Sequence, residues 1–562
     1  MLSVFFIVGS QVDFRERGFV QLKKCERQEQ FLTGSGIPVK EVYTAEDIKD
    51  LDLEKEMGLP GKAPYLRGIY PNMYRGKFWT IRQFTGFNTP EETNERFKYE
   101  HDAGATGFSI AFDAVTENGL DPDDPGVAND VGMGGVNVCT LRDMEIMFDG
   151  LPIDRVSTAV IGSPFSAGVL SAMYFALAES RGIELKDLDG TTQNDMLLFT
   201  ACCHLPAIIP PHNLVRLCVD LVEWCAQNTP TWHPVSFASY NYRENGLNAY
   251  QELGLLFANA IAYIEEELKR NRLKIDDFAP VLTFHLASHS DFLEEIAKFR
   301  AARRMWYKLL KERYGAQNQK SMIFRFHVQT SGSTLTYQQP LNNLIRAAYQ
   351  VLAAALGGVQ SMHATSYDEG ICLPTEQGVL LSLRTQQIAQ YETGVANVAD
   401  PLGGSYFLES LTDEIEKRSW DYLKKVEDNG GLVAALESGW VHRESIKAMG
   451  EYQRQIQNGT RKVVGLNCFE MEEEPHRVPV FRPSPETARL QKAKLEEVRK
   501  NRDNQKVEET LRRLRDVTEK GENIMPAVIQ AVKAYASLGE ICDVWRELYG
   551  VWEIPVVAGI AV

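Results

Sequence analysis

No two of the nine cysteines stand at CxxC spacing, and their number is odd. Zinc-ribbon and dithiol redox sites therefore lack their ligand pattern, and scattered thiols fit a reducing cytoplasm. No apolar run is long enough to cross a bilayer as a helix. The opening MLSVFFIVG has no basic residue ahead of its apolar run and no small-residue cleavage site after it. It reads as a tail or start-site extension rather than a signal peptide. Positive charge is also short: 60 Lys and Arg against 76 Asp and Glu leave a net charge of −16. That argues against nucleic acid or an anionic membrane as the main partner. Neither a GxGxxG following a strand nor a Walker motif occurs, so nucleotide binding of those kinds has no support.

What is present is an ordinary globular composition over 562 residues, 44% hydrophobic and 24% charged. From Gly68 to Pro479 a short β-rich run repeatedly gives way to a helical stretch. Eight strands are predicted: Gly107–Phe112, Ser157–Ile161, Asp187–Gln193, Pro234–Ser239, Val281–Leu286, Ser321–Val328, Gln360–His363 and Val395–Val398. Helices between them include Thr89–Ala103, Phe292–Tyr314, Leu341–Leu356 and Gly378–Glu392. Sequential parallel strands need helical crossovers. Eight such units close into a (β/α)8 TIM barrel of the α/β class, with an open doubly wound sheet as the rival. The expected division is an N-terminal arm at 1–65, the barrel at 66–479 and a helical C-terminal extension at 480–562. In the arm a helical pattern runs near Arg15–Phe31. In the extension, Glu486–Gly521 reads as one long charged helix and Ala527–Tyr549 as one amphipathic helix.

A barrel places its chemistry at the carboxyl ends of the strands. The residues expected there are Asp113, Gln193, Asn194, Tyr240, Asn241, His285, His327, Gln329, His363 and Asp400. They are mostly neutral donors and acceptors, with no convergent ligand pair, so no metal centre is expected in this chain.

Six stretches carry a more specific signal: YPNMYRGKFWTIRQFTGF (70–87), GFSIAFDAVTENGLDPDDP (107–125), GTTQND (190–195), FRFHVQTSGSTLT (324–336), QSMHATSYDE (360–369) and DPLGGSYFLESLT (400–412). In this order they resemble the methylmalonyl-CoA mutase family, large-subunit type, over roughly residues 30–560. The resemblance implies a barrel with coenzyme A threaded along its axis. It also implies adenosylcobalamin as cofactor and a radical 1,2-rearrangement of an acyl-CoA carbon skeleton. The family's cobalamin-binding, flavodoxin-like domain carries a DxHxxG histidine. No Asp-x-His occurs in this chain. A separate small subunit bearing DxHxxG, in an α2β2-like hetero-oligomer in the cytoplasm, is the expected partner.

By the same resemblance, Lys77 and Arg82 would meet the coenzyme A phosphates. Tyr70, Met73 and Thr80 would contact its pantetheine or adenine. Ser109, Thr191, Thr283, His327, Gln329 and Gln360 fall among substrate or coenzyme A contacts, and Gln193 at the acyl end. Phe112, Ala114, Gly134, Glu244, Gly332, Ser333, Glu369 and Gly370 fall at positions that bind adenosylcobalamin, with Glu369 on the adenosyl ribose.

The departures bear on the substrate. Phe84 matches a tyrosine of methylmalonyl enzymes and the phenylalanine of isobutyryl enzymes. Cys203, or His204, stands where methylmalonyl enzymes use an arginine for the substrate carboxylate. An unpaired buried carboxylate costs several kcal/mol, so an uncharged branched acyl group of the isobutyryl type is expected. Asn241 replaces a histidine that donates to the thioester carbonyl. An amide can donate a hydrogen bond but cannot transfer a proton. His285 stands where the family carries an aromatic residue and is the candidate substitute. Ala111 lacks the aspartate of 2-hydroxyisobutyryl enzymes, and Glu117 and Val281 also depart from the pattern. Methylmalonyl-CoA or a bulkier acyl-CoA is the alternative substrate. A non-catalytic homologue that binds a coenzyme A ester is a further reading.

Overall fold

A computed structural model describes residues 30–196, 208–472 and 484–553. Nine parallel strands form one sheet: β1 Thr80–Thr85, β2 Gly107–Ala111, β3 Ser157–Ile161, β4 Gly190–Thr192, β5 Trp232–His233, β6 Val235–Ala238, β7 Leu282–Ser288, β8 Phe326–Thr330 and β9 Ser361–His363. Their order is β5-β4-β3-β2-β1-β9-β8-β7-β6. The two ends of this order, β5 and β6, are halves of a single stretch broken at Pro234. One half pairs with β4 and the other with β7. Proline has no amide hydrogen to give to a ladder, so the break falls where the chain passes from one neighbour to the other. The sheet is thereby a nearly closed parallel barrel wrapped by helices. It has the (β/α)8 character expected, with eight staves once β5 and β6 are counted as one.

Several strands differ from expectation. Thr80–Thr85 is a strand, pairing with both β2 and β9. Its polar TIRQFT sequence hides it, because Arg82 points into the bore and Gln83 bonds Ser382 on a helix behind the sheet. Val395–Val398 is not a strand: Val395–Asn397 is a 3-10 turn entered through Gly394 at φ 76°. Asp400 therefore ends no strand. It sits at φ 50° and binds Arg67 at 2.8 Å and the buried Arg300. The Asp187–Gln193 stretch contributes only Gly190–Thr192, after a 3-10 turn at Leu185–Asp187.

The helices follow their local signals. Pro90–Asp102 begins at Thr89, whose hydroxyl accepts from the Glu92 amide at 3.3 Å. Phe292–Lys308 continues as a π turn over Leu309–Arg313. The long charged helix of the extension is two, Pro485–Asn501 and Asn504–Glu519, because Asp503 caps a fresh start. The last is likewise two, Met525–Lys533 and Leu538–Tyr549, the second opened by the Ser537–Glu540 capping box. The helical pattern at 15–31 lies, apart from its last two residues, outside the described residues. Outward strand positions such as Ile81, Ile110, Val160, Phe237, Phe284 and Val328 are fully or almost fully buried beneath the helices. No described helix is long and apolar enough to cross a membrane.

Arg300 is buried and binds both Asp400 and Glu409, tying the turn before the helix Tyr406–Asp428 to the helix Phe292–Lys308. Removing one partner of such a pair strands the other in low dielectric. R300M is expected to lose about 3 kcal/mol or more, read as a lower urea midpoint. An unchanged midpoint would show the pair to be energetically idle.

Candidate functional site

Alternation along the strands puts every second side chain into the barrel. Those residues are Thr80, Arg82 and Phe84 on β1, Ser109 on β2, Ser157, Ala159 and Ile161 on β3, and Thr191 on β4. Ser236 on β6, Thr283 and His285 on β7, His327 and Gln329 on β8, and Ser361 and His363 on β9 complete the ring, and all line one cavity. Most barrels fill this space with Val, Ile and Leu. Here Ser, Thr and Ala predominate in the middle of the bore, and a cavity of about 1120 Å³ is left open. Its walls run from residues that precede the strands (Lys77, Arg155, Asp189, Arg325) to residues that follow them (Phe112, Ala114, Gln193, Tyr240, Asn241). The cavity therefore traverses the barrel.

Charge is distributed unevenly along it. The four Lys and Arg residues of the lining, Lys77, Arg82, Arg155 and Arg325, gather toward the amino ends of the strands. Arg82 reaches from mid-strand to bond the hydroxyl of Ser157, the first residue of β3. Burial pulls its guanidinium down, opposed by Asp189. His233 gives its Nδ1–H to the Val281 carbonyl at 3.0 Å, and burial lowers it to about 4.

The carboxyl-end chamber has no Lys or Arg among its described lining residues. Cys203 and His204 lie outside the described residues. His285 stacks on Tyr240 with centroids 5.4 Å apart and meets His327 edge-on at 4.8 Å. Its Nε2 is buried without a hydrogen-bond partner, and burial lowers its basicity to about 3. His327 Nδ1 shares a 2.8 Å bond with the Ser361 hydroxyl, and burial holds it well below the usual histidine range. His363 Nδ1 accepts from the Phe84 amide at 3.1 Å, so its proton lies on Nε2, 3.6 Å from Glu369. Glu117 lines the same end, its carboxyl raised well above the normal range by burial. Desolvation thus disfavours the ionised forms of His285, His327 and Glu117 in this chamber.

The mouth is edged by glycine. Gly134, at φ 76°, has open space where a Cβ would stand. A Cβ on Gly332 would come to 3.4 Å from Glu244 Oε2 and the Tyr240 hydroxyl. Glu244 accepts from the Ser333 amide at 2.5 Å and bonds Ser331, while burial raises its carboxyl to about 7. Phe84 and Met133 face the opening 39% and 50% exposed. Glu369 borders an adjoining pocket of about 290 Å³ with Phe84, Gly134 and His363.

The residues expected from sequence fall as follows. Tyr70, Met73, Lys77, Thr80, Arg82, Phe84, Ser109, Phe112, Ala114, Gly134, Thr191, Gln193, Asn241, Thr283, His285, His327, Gln329 and Gln360 line the cavity. Glu244, Gly332, Ser333, Glu369 and Gly370 do not; Glu244, Gly332 and Ser333 stand together beside Tyr240, and Glu369 lines the adjoining pocket. Ala111 is on that pocket too, and Val281 is buried in a 3-10 turn. Arg155, Asp189, His233, Ser157, Ser236, Arg325 and Ser361 were missed as site residues. The period-two register marks several of them once the strand starts are known.

The sequence matches the family model described as Methylmalonyl-CoA mutase over residues 32–551. The chain belongs to the methylmalonyl-CoA mutase family. It is 42% identical to the 2-hydroxyisobutanoyl-CoA mutase large subunit of Aquincola tertiaricarbonis, covering 95% of both chains. It is 37% identical to the methylmalonyl-CoA mutase of Escherichia coli over 93% of this chain and 72% of that one. It is 36% identical to the human mitochondrial methylmalonyl-CoA mutase over 92% of this chain and 68% of that one.

A histidine whose folded pKa lies below its unfolded value binds fewer protons than the unfolded chain between the two. For His285, about 3 in the fold against ~6.5 unfolded, stability is fully present above pH ~6.5 and lost as pH falls below it. The slope approaches ~1.4 kcal/mol per pH unit for one such group. H285Q is expected to flatten the acid limb of denaturant stability plotted from pH 7 to pH 5. An identical limb would show that His285 is protonated in the fold.

Proposed function

We propose that this chain is the substrate-binding subunit of an adenosylcobalamin-dependent acyl-CoA mutase that rearranges a branched, uncharged acyl-CoA of the isobutyryl type. The observation that carries this reading is the polarity of the bore, with cations at one end and a neutral chamber at the other. A thioester of coenzyme A has the matching polarity. Its phosphates suit Lys77, Arg82 and Arg325, its pantetheine arm suits the Ser and Thr rungs, and its acyl group would reach the chamber. A free carboxylate there would meet neutral groups and Glu117, and would lack the paired cation that burial demands.

The mouth fits a flat macrocycle. Gly134 and Gly332 permit close approach of a ring to backbone, and half-exposed Phe84 and Met133 offer it an apolar face. Residues Phe112, Ala114, Glu244, Ser333, Glu369 and Gly370 would border it. The cofactor when bound would supply the hydrogen-abstracting radical. A small cobalamin-binding subunit with DxHxxG would deliver it, in a hetero-oligomer set in the cytoplasm.

This chain's residues would bind, orient and keep dry. Gln193 and Asn241 would donate amide hydrogens toward the thioester carbonyl oxygen. His285, whose Nε2 has no hydrogen-bond partner among the described residues, would add the donor that Asn241 cannot fully replace. Phe84 would wedge between acyl group and ring.

With a cobalamin-binding small subunit and adenosylcobalamin, isobutyryl-CoA is expected to turn over at least about tenfold faster, by kcat/KM, than methylmalonyl-CoA, a difference of about 1.4 kcal/mol. The reverse preference, measured by product chromatography, would overturn the uncharged-acyl reading. H285F is expected to lower kcat by about tenfold or more with little change in KM, as loss of a donor used in the transition state would do. An unchanged kcat would remove His285 from the mechanism.

A further inference from the structure

Behind the chamber lies a cluster of five ionisable side chains that lines no part of the cavity: Arg243, Glu252, Glu294, Glu295 and Lys298. Each is 4% exposed or less. Lys298 lies 2.7 Å from Glu252 and 2.5 Å from Glu295, and Arg243 lies 3.1 Å from Glu295. Three carboxylates against two cations is an expensive group to bury, and such clusters often stabilise a fold less than apolar residues would. What the cluster grips is therefore informative.

Glu252 Oε1 accepts from the Ser239 hydroxyl at 3.0 Å and from the Ala287 amide at 3.1 Å. Lys298 donates to the Ala287 carbonyl at 2.8 Å. Arg243 donates to the Leu247 carbonyl at 2.8 Å. Ser239 immediately precedes the short helix Tyr240–Glu244, which carries Tyr240 and Asn241. Ala287 is two residues beyond His285 on β7. The ladder between β6 and β7 ends at this point, its register running to Ala238 opposite His285, with one further bond from the Ser239 amide to the His285 carbonyl at 2.8 Å. Past that rung the Ser239 hydroxyl also lies 3.3 Å from the His285 carbonyl, and one carboxylate oxygen of Glu252 bridges the two chain segments.

We propose that Glu252 is a positioning residue: its bridge between Ser239 and Ala287, anchored by Lys298, sets the placement of Tyr240 and Asn241 relative to His285. The kinetic part of this inference rests on the mutase reading; the geometric part does not. Glutamine at 252 keeps an oxygen able to accept both bonds but turns an NH2 group toward Lys298, whereas alanine keeps no acceptor.

The test compares E252A, E252Q and the milder S239A in the full chain with its small subunit and adenosylcobalamin. Kinetics are normalised to folded protein, alongside imidazole NMR of histidine-labelled samples. E252A is expected to lose about tenfold or more in kcat with KM within about threefold, the scale of a sub-ångström to 1 Å misplacement. E252Q should recover most of that loss, and S239A should fall between. The His285 imidazole signals should move in E252A, while those of His233, at the other end of the bore, stay in place. Equal kcat in E252A and wild type, or His285 signals that stay in place in E252A, would overturn the proposal. If the wild type turns over no acyl-CoA, the mutase reading fails and the spectra decide. Moved His285 signals support the positioning role, and unmoved ones reject it. If E252A does not fold, S239A carries the same comparison, with an unmoved His285 again rejecting it.

Discussion

Side-chain size at the inward strand positions is the constraint on which the rest depends. Eight staves of parallel strand ordinarily enclose a packed column of branched side chains. Ser109, Ser157, Ala159, Thr191, Ser236, Thr283 and Ser361 are too small to fill that column. The barrel is held from outside instead, where Phe284 packs on Trp306 and Phe324, and Trp232 on Tyr174 and Phe175. The fold thereby separates two tasks that most barrels combine. Outward residues supply the apolar burial, and inward residues are free to line a passage.

An open bore would be of little use without polarity. Its cations lie before or low on the strands, where helical and loop carbonyls such as that of Pro280, 3.3 Å from Arg325, can support them. At its carboxyl end desolvation works against the charged forms, lowering the basicity of His285 and His327 and raising the carboxyls of Glu117 and Glu244. The chamber is thus rich in hydrogen-bonding groups and has no Lys or Arg among its described lining residues. That suits chemistry in which a reactive intermediate must be held and shielded from water rather than ionised.

Much of this was legible in the sequence, and the failures have physical causes. Alternating β-rich and helical runs signalled a parallel α/β fold, because seven of the predicted strands coincide at least in part with real ones. Thr80–Thr85 was hidden because a stave facing a polar bore lacks the apolar alternation that announces a strand. Val395–Val398 has the β-branched composition but follows a left-handed glycine that turns the chain. The breaks at Arg502–Asp503 and near Ser537 were marked by caps that charge periodicity overrode. Long motifs located most cavity-lining residues, whereas Arg155, Asp189 and Arg325 precede strands whose starts were misplaced or unweighted. The Glu252 bridge was invisible, since it joins residues far apart in sequence through a helix that reads as ordinary amphipathic core.

The most direct test of the central claim is a crystal structure of the chain with a non-hydrolysable acyl-CoA analogue. Density is expected along the barrel axis, with the phosphates beside Arg82 and Arg325 and the acyl group against Gln193, Asn241 and His285. An analogue bound on the outer helices, or threaded with its phosphates at the glycine-edged mouth, would contradict the account.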